Sequence, residues 1–241
     1  MIIDVYATCY NEEIILPYFL KHYKKFARNI TIYDNISTDN SVNIMNEYGV
    51  NVIPFDTNGK FEESRLMSIR NTCWKGSDAD WVIICDTDEI IYHENIVEVL
   101  SNTHANHIIT EGYEMMSESL PTTQGQIYEE LKVGHFKPYY SKPCIFKPSL
   151  IVDINFSPGT HTSEPTGDNV ISVGDTGIKL LHYKYLNREI LISKYSHYKI
   201  RQSEEMKKNG WGNYQQWDAN VINSQFNEWL LISKNIIDNG N

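Results

Sequence analysis

Apolar and polar residues form blocks along the first hundred positions, and the spacing of the apolar residues changes from block to block. Short β-branched runs predict four strands, at 2–7, 29–34, 50–55 and 80–86. Apolar residues at helical spacing predict three helices, at 12–27, 37–49 and 62–76. Strands that alternate with helices through short connections form a mainly parallel sheet with helices on both faces. The carboxyl ends of its strands then share one edge, where ligands bind in α/β folds.

The pattern is less regular beyond residue 104. Further strands are predicted at 107–116, 142–148, 150–156 and 177–186, with the middle two antiparallel. From Arg188 the chain reads as helical to its end, with an interruption at 208–213. These patterns predict an α/β domain over 1–187 with a helical C-terminal extension over 188–241.

Composition and charge exclude several classes of protein. The chain has 241 residues, with 41% hydrophobic and 22% charged residues, which is typical of one globular domain. A formal net charge of −10 argues against a nucleic-acid binder that relies on phosphate attraction. No leader and no apolar run of about 18 residues is visible, so we expect no transmembrane segment. The four cysteines form no CxxC pair, so we expect reduced thiols and a cytoplasmic location.

The most informative polar cluster follows the fourth predicted strand. The apolar run from Trp81 to Cys85 ends in Asp86, Asp88 and Glu89. Carboxylates at the end of a buried strand are costly unless a cation meets them. On an extended segment, the i, i+2 spacing would turn Asp86 and Asp88 to the same side, so both could reach one Mg²⁺ or Mn²⁺ ion. The alternative is that Asp86 caps the strand while the other two acids face water.

Four segments, in this order, resemble the family 2-like glycosyltransferases with a GT-A fold: "ATCYNEE" at 7–13, "YDNISTDNS" at 33–41, "SIRN" at 68–71 and "DADWVIICDTDE" at 78–89. The resemblance covers about residues 2–90 and returns at "LLHYKYLNREILISKY", residues 180–195. It implies a nucleotide-binding half over 1–104 and an acceptor half over 105–187. It also implies inverting transfer of a sugar from a nucleotide-diphosphate donor, with UDP favoured, to an acceptor hydroxyl.

The resemblance further implies a donor site at the strand edge. The residues expected to line it are Asn11, Glu12, Asp34, Arg70, Asp86, Thr87 and Lys142. Asn11 and Glu12 would contact the base and ribose, and Asp34 would accept a hydrogen bond from the base. Local structure offers other roles, because Glu12 suits a first helical turn, Asp34 an Asx turn and Arg70 a surface ion pair.

Later residues are candidates for the metal and for acceptor activation. His182 ends an apolar strand, and the resemblance implies that it completes a metal site with Asp86 and Asp88. An inverting transfer needs a base for the acceptor hydroxyl, but the acidic "ED" motif of many family members is absent. His161 and Glu164 are the leading candidates, and two more acids, Glu114 and Glu118, are left open. Lys184 is a further candidate for phosphate contact.

Alternatives and partners complete these expectations. A non-catalytic nucleotide- or sugar-binding module of the same fold is the main alternative. A phosphatase that uses DxD is less favoured, because its motif normally lies on the first strand. The expected acceptor is a saccharide or lipid-linked saccharide, in polysaccharide or glycoconjugate synthesis, and the location could extend to the inner membrane face. The aromatic residues of 211–229 predict either packing on the core or a homodimer face.

Overall fold

The computed structural model of the protein describes residues 1–237. The strands are β1 (Ile3–Cys9), β2 (Asn29–Asp34), β3 (Asn51–Pro54), β4 (Trp81–Asp86), β5 (Glu89–Tyr92), β6 (His107–Ile108), β7 (Glu111–Ser117), β8 (Val133–Phe136), β9 (Ile145–Phe146), β10 (Ile151–Asp153), β11 (Thr166–Gly167), β12 (Ser172–Val173), β13 (Lys179–Leu186) and β14 (Lys234–Asn235). The α-helices are α1 (Leu16–Tyr23), α2 (Ser41–Glu47), α3 (Glu63–Thr72), α4 (Ile96–Asn102), α5 (Ile127–Glu130), α6 (Arg188–Arg201), α7 (Glu204–Asn209) and α8 (Ala219–Ile232). Short 3₁₀ helices span Pro138–Tyr140, Pro158–Thr160 and Asn213–Gln216.

The main sheet has seven strands in the order β12-β6-β9-β4-β1-β2-β3. Strands β1 to β4 pair in parallel, and so do β12 and β6. Among the described strands of this sheet, β9 alone runs antiparallel to both of its neighbours. This is the predicted mainly parallel α/β sheet, and its first four strands lie where the sequence placed them.

Strand β4 shows why the apolar runs are continuous. Its alternate residues Trp81 and Ile83 pack in the core cluster that includes α1 and α2. Val82 and Ile84 point the other way, into a cluster with Trp74 just after α3. Because both faces of the sheet are covered, each residue from Trp81 to Cys85 is buried and the period-2 alternation disappears. The predicted two-sided covering is confirmed.

A second sheet of five strands, in the order β14-β8-β7-β13-β5, lies beyond the DxD motif. Residues 87 and 88 form a turn that carries the chain from β4 in the first sheet to β5 in the second. Strand β13 pairs with β5 antiparallel and with β7 parallel. His182 is thereby brought beside the end of β4 although it is almost a hundred residues away in sequence.

Several predicted elements need correction. The predicted strand at 107–116 is two strands, β6 and β7, which lie in different sheets. Segments 142–148 and 150–156 contain β9 and β10, but β9 pairs with β4 and β6 whereas β10 pairs with β11. The extension is not helical to its end, because β14 pairs with β8. The last four residues of the predicted extension, 238–241, lie outside the described residues.

The aromatic residues of the extension pack within the chain. The ring centres of Trp229 and Tyr185 are 4.8 Å apart, and the Lys137 ammonium lies 3.5 Å from the ring centre of Trp229. Phe226 is fully buried in the same cluster. Packing on the core, which was one of the two sequence-based expectations, is what these contacts show. Within residues 1–237, no helix is long and apolar enough to cross a membrane.

Candidate functional site

A cleft of about 320 Å³ lies at the carboxyl ends of β1 and β4. Thr8 and Cys9 contribute from β1, and residues 86–89 contribute from the turn between the two sheets. The other side is formed by residues from the extension, among them Tyr198, Arg201 and Tyr214. The predicted strand edge is therefore concave and partly enclosed, as a ligand site requires.

Asp86 is held by cations on its own side of the turn. Its Oδ1 accepts hydrogen bonds from Arg70 at 2.5 Å and from the Thr8 hydroxyl at 2.5 Å. Lys142 lies 3.7 Å from its Oδ2 and 2.6 Å from Glu89. Burial opposes the charge, but the Arg70 and Lys142 cations outweigh it and hold the pKa of Asp86 below its usual value. Arg70 and Lys142 thus supply part of the positive charge that was expected beside these carboxylates.

Asp88 faces a different partner, His182. The Asp88 Oδ2 lies 3.5 Å from His182 Nε2, and His182 Nδ1 lies 2.8 Å from Glu114, a fully buried carboxylate. Burial alone would lower the pKa of His182, but the Glu114 and Asp88 carboxylates raise it to about 10. The same imidazolium holds the pKa of Asp88 below its usual value against the effect of burial.

The residues fit a divalent cation only in part. Among residues 1–237, no three His, Cys, Asp or Glu side chains converge as a metal site. Residues 87–88 form a turn rather than the expected extended segment, and Asp86 and Asp88 line the same cleft with different partners. Asp88 and His182 would fit once a bound cation displaces the proton on His182 Nε2, since a histidine that binds a metal usually donates its second N–H to a carboxylate, as His182 can to Glu114. Mg²⁺ and Mn²⁺ need few protein ligands when phosphates supply the rest.

His161 lies in the cleft and has one ring nitrogen available. Its Nδ1 is 2.7 Å from the Tyr139 carbonyl, so this nitrogen donates and Nε2 is left as an acceptor. The ring stacks on Tyr139 with centroids 3.6 Å apart. Burial and the nearby Lys142 charge lower the pKa of His161 to about 3, which keeps the imidazole neutral. Glu164, the other leading base candidate, is exposed and does not line the cleft.

The remaining predicted donor-site residues divide into two groups. Thr87 lines the cleft, and Glu12 lines both this cleft and a second one of about 290 Å³. Asn11 lines only the second cleft and exchanges hydrogen bonds with Thr38. Asp34 is buried and accepts hydrogen bonds from the backbone and hydroxyl of Ser37, as an Asx turn does. Its role toward a base stays a prediction.

One polar face of α6 had no predicted role. Lys194, Tyr198 and Arg201 follow one another at i, i+4 and i+7, so they share a face of the helix, and that face meets the cleft region. Lys194 binds both oxygens of Glu12, at 2.7 and 2.6 Å. Arg201 donates to the carbonyl of Gly59 at 3.1 Å and stacks over Tyr10. The i, i+4, i+7 spacing of these three residues could have been used to predict that one face of this helix is polar.

Comparison with protein families supplies the decisive observation. The profile of Glycosyl transferase family 2 matches residues 4–147, which is more than half of the chain and includes β1 to β4 and the DxD turn. The chain belongs to this family. In this family 2 chain, the acidic turn after β4 lies within the matched part together with Arg70 and Lys142, whereas His182 lies outside it.

A solved structure supports the fold of this family 2 chain. A crystal structure of S. aureus TarS superposes with a TM-score of 0.50 at 16% identity, covering 82% of this chain and 38% of that one. The chain therefore spans less than half of the length of that TarS structure. A structure of glucosyl-3-phosphoglycerate synthase from Mycobacterium tuberculosis with Mn²⁺, UDP and glucosyl-3-phosphoglycerate gives a TM-score of 0.43 at 14% identity, covering 66% and 62%. No curated protein sequence matches the chain.

Proposed function

We propose that the chain transfers a sugar from a nucleotide-diphosphate donor to an acceptor hydroxyl. The observation that carries this proposal is the arrangement of one cleft in a family 2 chain. Asp88 and His182 lie side by side at 3.5 Å, next to the cations around Asp86. In the same cleft, neutral His161 has Nε2 available to accept a proton. The cleft thus combines groups suited to hold a metal ion and a phosphate with a group that can accept a proton.

The leaving diphosphate would lie over the DxD turn. Asp88 and His182 would hold Mg²⁺ or Mn²⁺, and the bound cation would neutralise charge that develops on the diphosphate. Asp86 as a further ligand stays a prediction, since Arg70 and Thr8 already occupy one of its oxygens. Lys142, which is buried beside Asp86, adds positive potential at the same place.

His161 is the residue that we assign to acceptor activation. The acceptor oxygen forms a bond to C1 of the sugar while the bond from C1 to the diphosphate breaks, and the hydroxyl proton passes to His161 Nε2. This displacement inverts the configuration at C1. The diphosphate would raise the pKa of His161, because nearby negative charge favours the imidazolium. The carbonyl of Tyr139 holds the ring in the tautomer that leaves Nε2 free.

We infer the finer substrate classes from the resemblance in the sequence. UDP is the favoured nucleotide, and the acceptor is a saccharide or lipid-linked saccharide used in polysaccharide or glycoconjugate synthesis. A TarS structure in complex with UDP-GlcNAc gives a TM-score of 0.45 and carries no weight in this choice. We infer that this activity takes place in the cytoplasm, including the inner face of the membrane.

The test is release of nucleotide from a panel of nucleotide-sugars with Mn²⁺ or Mg²⁺. We expect turnover with a UDP-sugar that falls at least about a hundredfold in Asp88→Asn, because charge stabilisation of a leaving group contributes at this scale. Asp153→Asn is the matched control, since this carboxylate pairs with Lys75 at the surface, outside the cleft. Equal turnover in Asp88→Asn would contradict the proposal. UDP binding without turnover would support the non-catalytic alternative.

A further inference from the structure

Lys184 is a buried cation at the wall of the cleft. It lies on β13, two residues after His182, and only 8% of its surface is exposed. It lines the main cleft and also the second, smaller cleft beside α6. A cation in this position can reach a ligand in the main cleft without a large movement.

Three tyrosine rings surround the Lys184 ammonium. Its nitrogen lies 4.0 Å from the ring centre of Tyr214, 4.8 Å from that of Tyr195 and 5.9 Å from that of Tyr198. Aromatic faces stabilise an ammonium by cation–π attraction and hold it in place. Within residues 1–237, no carboxylate forms an ion pair with Lys184 and no acceptor hydrogen-bonds to it.

Most of the other cations around the cleft already have carboxylate partners, whereas Arg201 donates hydrogen bonds to the Gly59 carbonyl and to Asn35. Arg70 pairs with Asp86, Lys142 with Glu89 and Lys194 with Glu12. His182 likewise lies between two carboxylates. Burying a cation is costly unless an opposite charge compensates it. Within residues 1–237, Lys184 has neither an ion-pair partner nor a hydrogen-bond acceptor, and Glu114 and Asp88 act on it from farther away, so an anionic ligand would add a direct countercharge.

We propose that Lys184 and its three tyrosines form a subsite for an anionic group of the acceptor, a phosphate or a carboxylate. This inference rests on the proposed function and narrows its acceptor class. Tyr214 lines the same cleft as Tyr139, and Tyr139 stacks on His161. The hydroxyl to be activated would lie at His161 and the anionic group at Lys184. The extension that carries the three tyrosines therefore contributes to acceptor choice.

The test is calorimetric binding of inorganic phosphate to protein saturated with UDP and Mg²⁺. UDP fills the diphosphate position, so any remaining phosphate binding reports a separate anion subsite. We expect the wild-type protein to bind phosphate under these conditions and Lys184→Met to bind it at least about tenfold more weakly, the usual scale for losing a charged partner. Lys184→Arg should retain most of the binding because it keeps the charge.

Two further variants keep the result interpretable. Lys147→Met is the matched control, since Lys147 also lies over a ring, that of Trp81 at 4.8 Å, but does not line the cleft. Tyr214→Leu removes the ring nearest to the ammonium at a partly exposed position, and we expect several-fold weaker phosphate binding. If Lys184→Met does not fold, phosphate binding to Tyr214→Leu tests the subsite instead.

Three results would overturn the proposal. Wild-type protein that binds no phosphate, or Lys184→Met that binds it normally, would show that the subsite does not exist. Phosphate binding that UDP abolishes would assign Lys184 to the donor diphosphate. Failure of the proposed function looks different, because UDP would then bind without turnover or not bind at all. In the second case, phosphate binding to the UDP-free wild type and Lys184→Met would still decide about the subsite.

Discussion

Asp86 and Asp88 are two positions apart, yet their side chains have different partners. Asp86 is bound by Arg70 and Thr8, whereas Asp88 lies beside His182. The difference follows from the turn at 87–88, which links two sheets and ends the strand alternation. The sequence was sufficient to predict that acids gather at this edge. It could not assign their partners, because Lys142 precedes β9 of the first sheet and His182 lies on β13 of the second, and both are distant in sequence from β4.

The first prediction concerns the choice of base between His161 and Glu164. His161→Ala should lower kcat by about 10²–10⁴, the usual effect of losing a general base, and leave the affinity for UDP unchanged. Glu164→Gln should behave like the wild-type protein, because Glu164 is exposed and outside the cleft. Steady-state rates of transfer and UDP titrations measure the two effects. A large loss in Glu164→Gln with normal His161→Ala would reverse the assignment.

The second prediction concerns Asp4, which accepts hydrogen bonds from Arg28, Asn29 and Ser77. Burial opposes its charge, but these donors together lower its pKa below the ordinary value of 3.8. A carboxyl whose pKa is lower in the folded protein adds stability above the unfolded pKa and loses it as the pH falls. Asp4→Asn should therefore lower the free energy of unfolding by about 1–3 kcal/mol at pH 7, and the difference should shrink below about pH 4.

Urea unfolding at pH 7 and at pH 3 checks this prediction. Asp78→Asn is a matched control, since Asp78 pairs with the same Arg28 but its side chain is 83% exposed. Its substitution should have a much smaller effect on stability, because exposed ion pairs contribute little. An equal loss in both variants would show that burial of Asp4 is not the cause.

Among the elements, helix α6 is the one whose function was least visible in the sequence. Its apolar residues pack on the core, and Leu191 and Tyr195 are buried. Its polar face includes Lys194, which pairs with Glu12, a residue that precedes α1. Sequence analysis predicted the helix but placed it in an extension. Which face of a helix meets a site depends on how the helix docks, and docking is set by contacts distant in sequence.

The third prediction tests this docking by a double-mutant cycle. Lys194→Met should destabilise the protein by about 3 kcal/mol, because it leaves the Glu12 carboxylate buried without its partner. Adding Glu12→Gln should recover most of that loss, since the unpaired charge is then removed. Chemical unfolding of the two single variants and the double variant gives the coupling. Strictly additive losses would contradict a direct pair.

Elements were also missed where local signals were weak. Strand β5 follows the DxD motif directly, so its four residues read as part of the motif. Strand β14 has two residues, Lys234 and Asn235, in a segment with helical patterning. Such short strands form because a neighbouring strand offers unpaired backbone groups, and this depends on tertiary structure rather than on local propensity.

At the scale of the whole molecule, the extension is part of the core and of the cleft. Phe226 and Tyr195 pack with Tyr185 and Met116 from the second sheet. Tyr198 and Tyr214 line the cleft. The predicted boundary at residue 187 therefore separates residues that share one hydrophobic cluster and one site.

The fourth prediction follows from this shared core. A chain ending at residue 187 should not fold stably, because buried Tyr185 and Met116 would become exposed to water. Circular dichroism and thermal unfolding of the shortened chain test it. A cooperative unfolding transition close to that of the full chain would show that 1–187 folds on its own.

The fifth prediction addresses the central claim, that this cleft binds a nucleotide diphosphate through a divalent cation held at Asp88 and His182. The most direct measurement is calorimetric titration of UDP into the protein with Mn²⁺ and again with a chelator. We expect binding with Mn²⁺ that weakens at least about tenfold on chelation or in Asp88→Asn, since the ion would bridge protein and phosphate. UDP that fails to bind, or binds equally with and without metal and Asp88, would contradict the account.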